Sequence, residues 1–177
     1  MTPWVQTKEP AARRAGSKRR LYTLEVFIIS GPIARKFAKK NRVISRTIQI
    51  RGDQTLEDLH YAIFDAFGRE EQHMYEFQIG GKGPMDPKAR RYVLHADTNE
   101  LVSGRKPAGD VHDTTIESLG LKVGQAFGYW FDFGDDWWHQ INVVSIDEKV
   151  GRGKLPKVTK RTGESPPQYV DWDEVEE

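Results

Sequence analysis

The stretch 125-QAFGYWFDFGDDWWHQINVVSI-146 decides the fold, because two runs of aromatic and branched residues flank a turn of Gly134, Asp135 and Asp136. Runs of this composition separated by a short Gly/Asp segment form a β-hairpin. Side chains alternate along a strand, so Phe127, Tyr129, Phe131 and Phe133 share one wholly aromatic face, and Gly128, Trp130 and Asp132 take the other. A three-residue loop pairs Phe133 with Trp137, Phe131 with His139, Tyr129 with Ile141 and Phe127 with Val143, making one continuous apolar face. Trp130, Asp132, Trp138, Gln140 and Asn142 then form a second face polar enough to meet water or a ligand. A two-residue loop would bring Asp132 to the face of Trp137 and His139 to that of Trp130. That register strands several large side chains at about 1.5–3 kcal/mol each, so the longer loop is the better fit.

Working outward, 21-LYTLEVFII-29 is a strand ended by Gly31 and Pro32, and 42-RVISRTIQI-50 is a second, with Ile44, Arg46, Ile48 and Ile50 on one face. Residues 32–40 between them have the spacing of a short basic helix. The segment 55-TLEDLHYAIFDAFG-68 places Leu56, Leu59, Ile63, Phe64 and Phe67 on one helical stripe, with Asp53 or Thr55 as cap and Gly68 as stop. Strands follow at 74–79 and 91–95. Two Gly/Pro-rich loops come within 80–113, and 115-TIESLGL-121 is a short helical turn before the hairpin. The expected class is α+β: a mixed β-sheet wrapping one main helix, in β-grasp-like order, with the aromatic hairpin adding a C-terminal strand. The chain divides into a basic, mostly disordered tail at 1–20, a domain at 21–148, and an extended segment at 149–177 that is basic and then acidic.

The 177 residues suffice for one domain. The sequence has no cysteine, which excludes disulfides, thiolate metal sites and a cysteine nucleophile. No apolar run approaches the roughly 20 residues of a membrane helix, and the N-terminus lacks a signal-peptide pattern, so no membrane partner is expected and cytoplasm is the default compartment.

The net charge of +1 conceals segregation. Arg35, Lys36, Lys39, Lys40, Arg42 and Arg46 fall in a stretch free of acids, and Lys149, Arg152, Lys154, Lys157, Lys160 and Arg161 form a second basic run. Both could neutralise phosphates, with exposed Trp130 and Trp138 stacking on unpaired bases. The ordinary alternative is a solvated charged surface.

Asp132, Asp135 and His139 are the alternative metal set, since carboxylates and imidazole suit divalent cations. Against this, aspartates in that position serve turns, and a histidine on an aromatic strand is commonly a satisfied core residue. His60 lies on the apolar stripe of the helix and could face His139 across the sheet, or simply be packed and hydrogen-bonded. No GxSxG, HExxH or phosphate loop is present, so neither an enzyme nor a cofactor is indicated.

With these motifs in hand, the sequence resembles the family named after the third open reading frame of a root-inducing plasmid, whose relatives include passenger proteins of insertion elements. The likeness runs through most of residues 21–170. It rests on TLEDLH at 55–60, HMYEF at 73–77, TIESLGL at 115–121, YWFDFGDDWWH at 129–139 and SPPQY at 165–169. It departs at Ser45, where a tryptophan commonly precedes the family's strand arginine. The resemblance implies a single domain of mixed strands and helix. Its motif positions are Asp132, Phe133, Gly134, Asp135, Trp137 and His139, with His60, His73, Tyr75 and Phe77 secondary. It names no activity. The expected function is a non-enzymatic binding or interaction module with a nucleic acid or protein partner, of mobile-element origin. The alternative is a metal-dependent hydrolase or metal-binding protein.

Overall fold

A computed structural model describes Trp4, residues 19–98 and residues 105–171. The protein is α+β: an eight-stranded mixed sheet with few helices. Strands β1 (Leu21–Ser30), β2 (Ser45–Arg51), β3 (Tyr75–Ile79), β4 (Arg90–Val93), β5 (Gly109–Asp110), β6 (Ala126–Phe131), β7 (Trp137–Asp147) and β8 (Lys157–Thr162) lie in the order β5-β4-β3-β6-β7-β1-β2-β8. All neighbours are antiparallel except β4 and β5. The strand added by the hairpin, β7, lies at the centre of the sheet between β6 and β1. Its eleven residues are the longest strand, and the first five, Trp137 to Ile141, are buried on both faces.

Helix α1 (Arg35–Lys40) links β1 to β2, and α2 (Leu56–Ala66) packs across the inner face of the sheet. Thr55 caps α2: its hydroxyl accepts from the Asp58 N–H, and the Asp58 carboxylate accepts from the Thr55 N–H. The predicted stripe Leu56, Leu59, Ile63, Phe64 and Phe67 is buried against Tyr22, Leu24, Ile48, Phe77, Phe127, Tyr129 and Trp137. A 3₁₀ turn at Glu117–Leu119 ends on Gly120 at φ 64°, a left-handed position that suits glycine. Glu117 accepts from Arg20 (2.7 Å) and Tyr22 (2.8 Å), tying this turn to the start of β1.

The hairpin keeps the expected faces and loses the expected register. Phe131 pairs with Trp137, Tyr129 with His139, and Phe127 with Ile141. The connection is therefore the five residues 132–136, and the pairing is displaced by two positions, which leaves the side chains that stay in the strands on their predicted faces and moves Phe133 off the aromatic face. Asp132 (φ 58°) and Asp136 (φ 54°) both adopt the left-handed conformation that aspartate tolerates. The Asp136 N–H donates to the Asp132 carbonyl (2.7 Å), and the Asp132 carboxylate accepts from the N–H groups of Gly134 and Asp135. Phe133 is thereby released from the strand to lie over Trp130, at 4.1 Å between ring centroids.

The outer face is covered more than the sequence suggested. Trp130 and Trp138 stack at 5.0 Å and 6°, but Trp138 is only 8% exposed because Trp4 packs beside it. Gly128 makes room for that indole: a β-carbon there would lie 2.8 Å from the Trp4 ring. The Trp4 N–H donates to the Lys82 carbonyl, and the loop after β3 folds under Asp86, whose carboxylate accepts from Lys82 and Lys88 N–H groups. Beneath this loop, Arg91 and Glu76 form a buried bidentate pair (2.8 and 3.1 Å). Apart from Trp4, Arg19 and Arg20, the expected disordered tail at 1–20 lies outside the described residues, as do the acidic residues 172–177 and the tip of the second loop at 99–104. Among the described residues no helix is long and apolar enough to cross a membrane.

Candidate functional site

The inner face of the hairpin meets the C-terminal end of α2, and the motif residues divide around that junction. Tyr129 is at the centre, flanked by both predicted histidines. Its hydroxyl lies 2.6 Å from His60 Nδ1, and its backbone carbonyl lies 3.3 Å from His139 Nδ1. His60 Nε2 faces the side-chain oxygen of Gln72 at 2.8 Å, so the neutral ring donates to Gln72 and accepts from Tyr129. The same ring stacks on Tyr75 at 3.7 Å and 2°. Burial pushes the His60 imidazole down to about 4, the Gln72 contact opposing this, and pushes His139 down to about 3, with the cationic Arg69 adding to the effect. Both rings are neutral near pH 7. The sequence allowed these histidines to face one another; instead they bracket one tyrosine.

Trp137 and His139 point inward, two residues apart on β7, and Arg69 lies with them. The Arg69 guanidinium carbon sits 3.7 Å from the Trp137 ring centroid. Burial lowers the Arg69 guanidinium to about 10, Tyr129 and Asp132 acting in the opposite direction. Arg69 was not among the residues singled out from the sequence. A base directly after the helix-ending Gly68 reads as a solvent-exposed cap, and nothing local announces that Trp137 lies over it.

Asp132 belongs to a different group. Beyond the turn amides, its carboxylate lies 3.4 Å from His73 Nε2. His73 in turn meets Tyr169 (2.8 Å), whose hydroxyl donates to Glu71 (2.7 Å) and is held above its ordinary range chiefly by that bond. Asp135 is exposed on the turn. Among the described residues, no three His, Asp or Glu side chains gather as a metal set. The alternative set of Asp132, Asp135 and His139 is dispersed over a turn carboxylate, a solvent-facing carboxylate and a core imidazole. Beside His60 an open cleft of about 490 Å³ is lined by Glu57, Tyr61, Gln72, His73, Tyr75 and Leu94.

The six bases proposed for phosphate contact also divide. Arg35, Lys36, Lys39, Lys40 and Arg42 are exposed. Arg46 is 3% exposed and donates five hydrogen bonds: to the carbonyls of Ala66, Ser45, Thr162 and Gly163, and to the Ser165 hydroxyl. Its assignment to nucleic acid is therefore corrected. It clamps the segment after β8 onto the end of α2, and its place in the apolar alternation Ile44, Arg46, Ile48, Ile50 was the sign of this. The SPPQY segment completes the clamp: the Gln168 side chain accepts from the N–H groups of Glu70 (2.7 Å) and Glu71 (3.0 Å) and donates to the Glu71 carbonyl (2.9 Å). Stacking of bases on a free Trp138 is likewise corrected by its cover.

A family model described as plasmid pRiA4b ORF-3-like protein matches residues 35–172, which takes in α1, the hairpin, the Arg46 clamp and the SPPQY segment. The chain is 28% identical over 139 residues to the uncharacterized protein y4hQ of Sinorhizobium fredii, covering 72% of this chain and 59% of the relative's length. In fold it is similar to the crystal structure of a protein of unknown function, MM3350, from Methanosarcina mazei Go1. That likeness has a TM-score of 0.62 at 20% identity, over 82% of this chain and 71% of the other.

Proposed function

Because the chain belongs to the plasmid pRiA4b ORF-3-like family, whose description names no ligand or reaction, we propose from its own surface that it is a non-enzymatic binding module for a polyanionic partner, nucleic acid being the one this chemistry fits. The observation carrying the reading is that two basic runs far apart in sequence share one edge of the molecule. Antiparallel pairing sets Arg161 opposite Arg46 and Lys160 opposite Thr47. Lys40 reaches Glu164 at 3.0 Å and the Asn41 side chain accepts from the Glu164 N–H, which ties α1 to the chain leaving β8. Arg35, Lys36, Lys39, Lys40, Arg42, Lys160 and Arg161 are all exposed toward this edge, Lys160 and Arg161 projecting to its two sides, a concentration of cations able to neutralise phosphates.

The plasmid in the family's description suits a mobile-element origin, and a cytoplasmic setting suits a nucleic acid partner. At the level of fold we read the order of elements as β-grasp-like, with α2 the wrapped helix and β7 the added strand. A lysine-bearing edge strand also guards a sheet against pairing with other chains, and a guard of that kind carries no salt-dependent affinity.

Anisotropy titrations with labelled single- and double-stranded DNA and RNA separate the two. Binding is expected at low salt, with log K falling linearly against log salt. The Lys36→Glu/Lys39→Glu/Arg161→Glu protein should lose at least about 10-fold in affinity, with a shallower salt slope. Absence of binding at low salt, or equal binding by the variant, overturns the proposal.

A further inference from the structure

Besides the Tyr75 hydroxyl, four side-chain atoms near the junction of α2 and the hairpin are buried without a hydrogen-bond partner among the described residues: Arg69 Nη1 and Nη2, Trp137 Nε1 and His139 Nε2. The first three are donors only. His139 uses Nδ1 toward the Tyr129 carbonyl, so in its neutral form Nε2 is an unmet acceptor. The group is compact: the Arg69 guanidinium carbon lies over the Trp137 ring at 3.7 Å from its centroid, and Trp137 and His139 are neighbours on the inner face of β7.

Arg69 is 7% exposed, and no ion pair reaches it among the described residues. The carboxylate that influences it, Asp132, is committed to the turn amides and His73. A water molecule would answer these hydrogen bonds and leave the positive charge uncompensated, whereas a buried charge calls for an opposite one. An oxyanion answers both. Its oxygens accept from the guanidinium fork and the indole N–H; the O–H of a hydrogen phosphate also donates to His139 Nε2, which a carboxylate, having no proton, leaves unmet.

We propose that Arg69, Trp137 and His139 form a buried binding site for a small oxyanion of the carboxylate or phosphate type. The site goes beyond the polyanion reading: it lies inside the molecule, uses none of the basic edge, and the motif tryptophan and histidine serve it.

The test follows thermal unfolding of the full chain as inorganic phosphate or acetate is added at ionic strength held constant with sodium chloride. At least one of the two should raise Tm, by roughly 5–10 °C at a hundred times its dissociation constant, the rise growing with the logarithm of concentration above that constant. Arg69→Met should abolish the rise while leaving the anion-free Tm equal or higher, since it removes an unpaired charge and keeps an apolar stem over the indole. Trp137→Phe, which deletes only the N–H and part of the ring, should bind roughly 10-fold more weakly. The Lys36→Glu/Lys39→Glu/Arg161→Glu protein should keep the full rise, which separates failure of this site from failure of the polyanion surface. No rise with either probe in the unmodified protein overturns the proposal, as does an unchanged rise in Arg69→Met. Should Arg69→Met fail to fold, equal affinities of Trp137→Phe and the parent are decisive against it.

Discussion

Two arginines are buried near the C-terminal end of α2, and they live in opposite conditions. Arg46, on β2, spends its guanidinium on five acceptors and lies 5.0 Å from the Phe67 ring centroid. Arg69, just past the helix, has an aromatic face beneath it and no acceptor for either Nη among the described residues. Burial lowers the guanidinium pKa in both, so depth alone does not distinguish them. Satisfaction does. A buried cation that meets every donor requirement within the chain is part of the architecture; one that meets none is held for something else.

The sharpest break in this comparison comes from Arg46→Met. It leaves the Ala66, Thr162 and Gly163 carbonyls short of a donor and unfastens Ser165, and should cost about 3–5 kcal/mol by denaturant unfolding. A cost below about 1 kcal/mol would mean the clamp is dispensable and the contrast false. Next comes acid. The folded pKa values of His60 (about 4) and His139 (about 3) both lie below the ordinary histidine value near 6.5. Below that value the unfolded chain takes up protons that the folded chain refuses, so stability is full above about pH 6.5 and falls as pH drops toward the folded values. Between pH 6 and 5 the two together should remove about 2 kcal/mol, and His139→Phe should roughly halve that slope. A flat profile over this range would show that both rings accept a proton in the folded state.

Gln168→Ala then tests whether the SPPQY strap shares the architectural role. It deletes three hydrogen bonds to the backbone of Glu70 and Glu71 and should cost about 1–2 kcal/mol, with Arg46 still in place. The smallest effect is expected at Lys40→Ala. That cation's bond to Glu164 is exposed at both ends, and its loss should move stability by less than about 0.5 kcal/mol and less still in high salt. If Lys40 and Arg46 proved equal, exposure would not be what separates the basic edge from the clamp.

Where the chain was readable, local periodicity was the reason. Leu56, Leu59, Ile63, Phe64 and Phe67 announce α2, Asp53 or Thr55 marks its start, of which the structure uses Thr55, and the alternation through Phe127, Tyr129 and Phe131 announces which side of the hairpin is inside. Register was not readable. A displacement of two residues leaves the faces of the paired strand residues unchanged while freeing Phe133, and the aspartates that decide the turn do so by adopting a backbone conformation that composition does not specify. Of the motif positions, Trp137 and His139 were found but not their relation to Arg69, because that relation joins the end of α2 to a strand 68 residues later. Arg46 was misread as a phosphate ligand although its own alternation pointed inward. Trp4 went unnoticed as a packing residue because a single aromatic in a basic, Pro-containing segment carries no pattern; its partner is an absence, the missing side chain of Gly128.

That indole has a consequence for how the molecule ages. Trp4 is covalently tethered to the sheet it covers, so its local concentration over Gly128 and Trp138 is set by the tether and not by how much protein is in solution. A single proteolytic cut between Trp4 and Arg19 would convert the contact into a bimolecular one, held among the described residues by one indole and one backbone hydrogen bond to Lys82. At ordinary protein concentrations the short peptide would then leave. The freshly bared tryptophan stack would give nicked protein a red-shifted emission and a surface that adheres to other nicked copies.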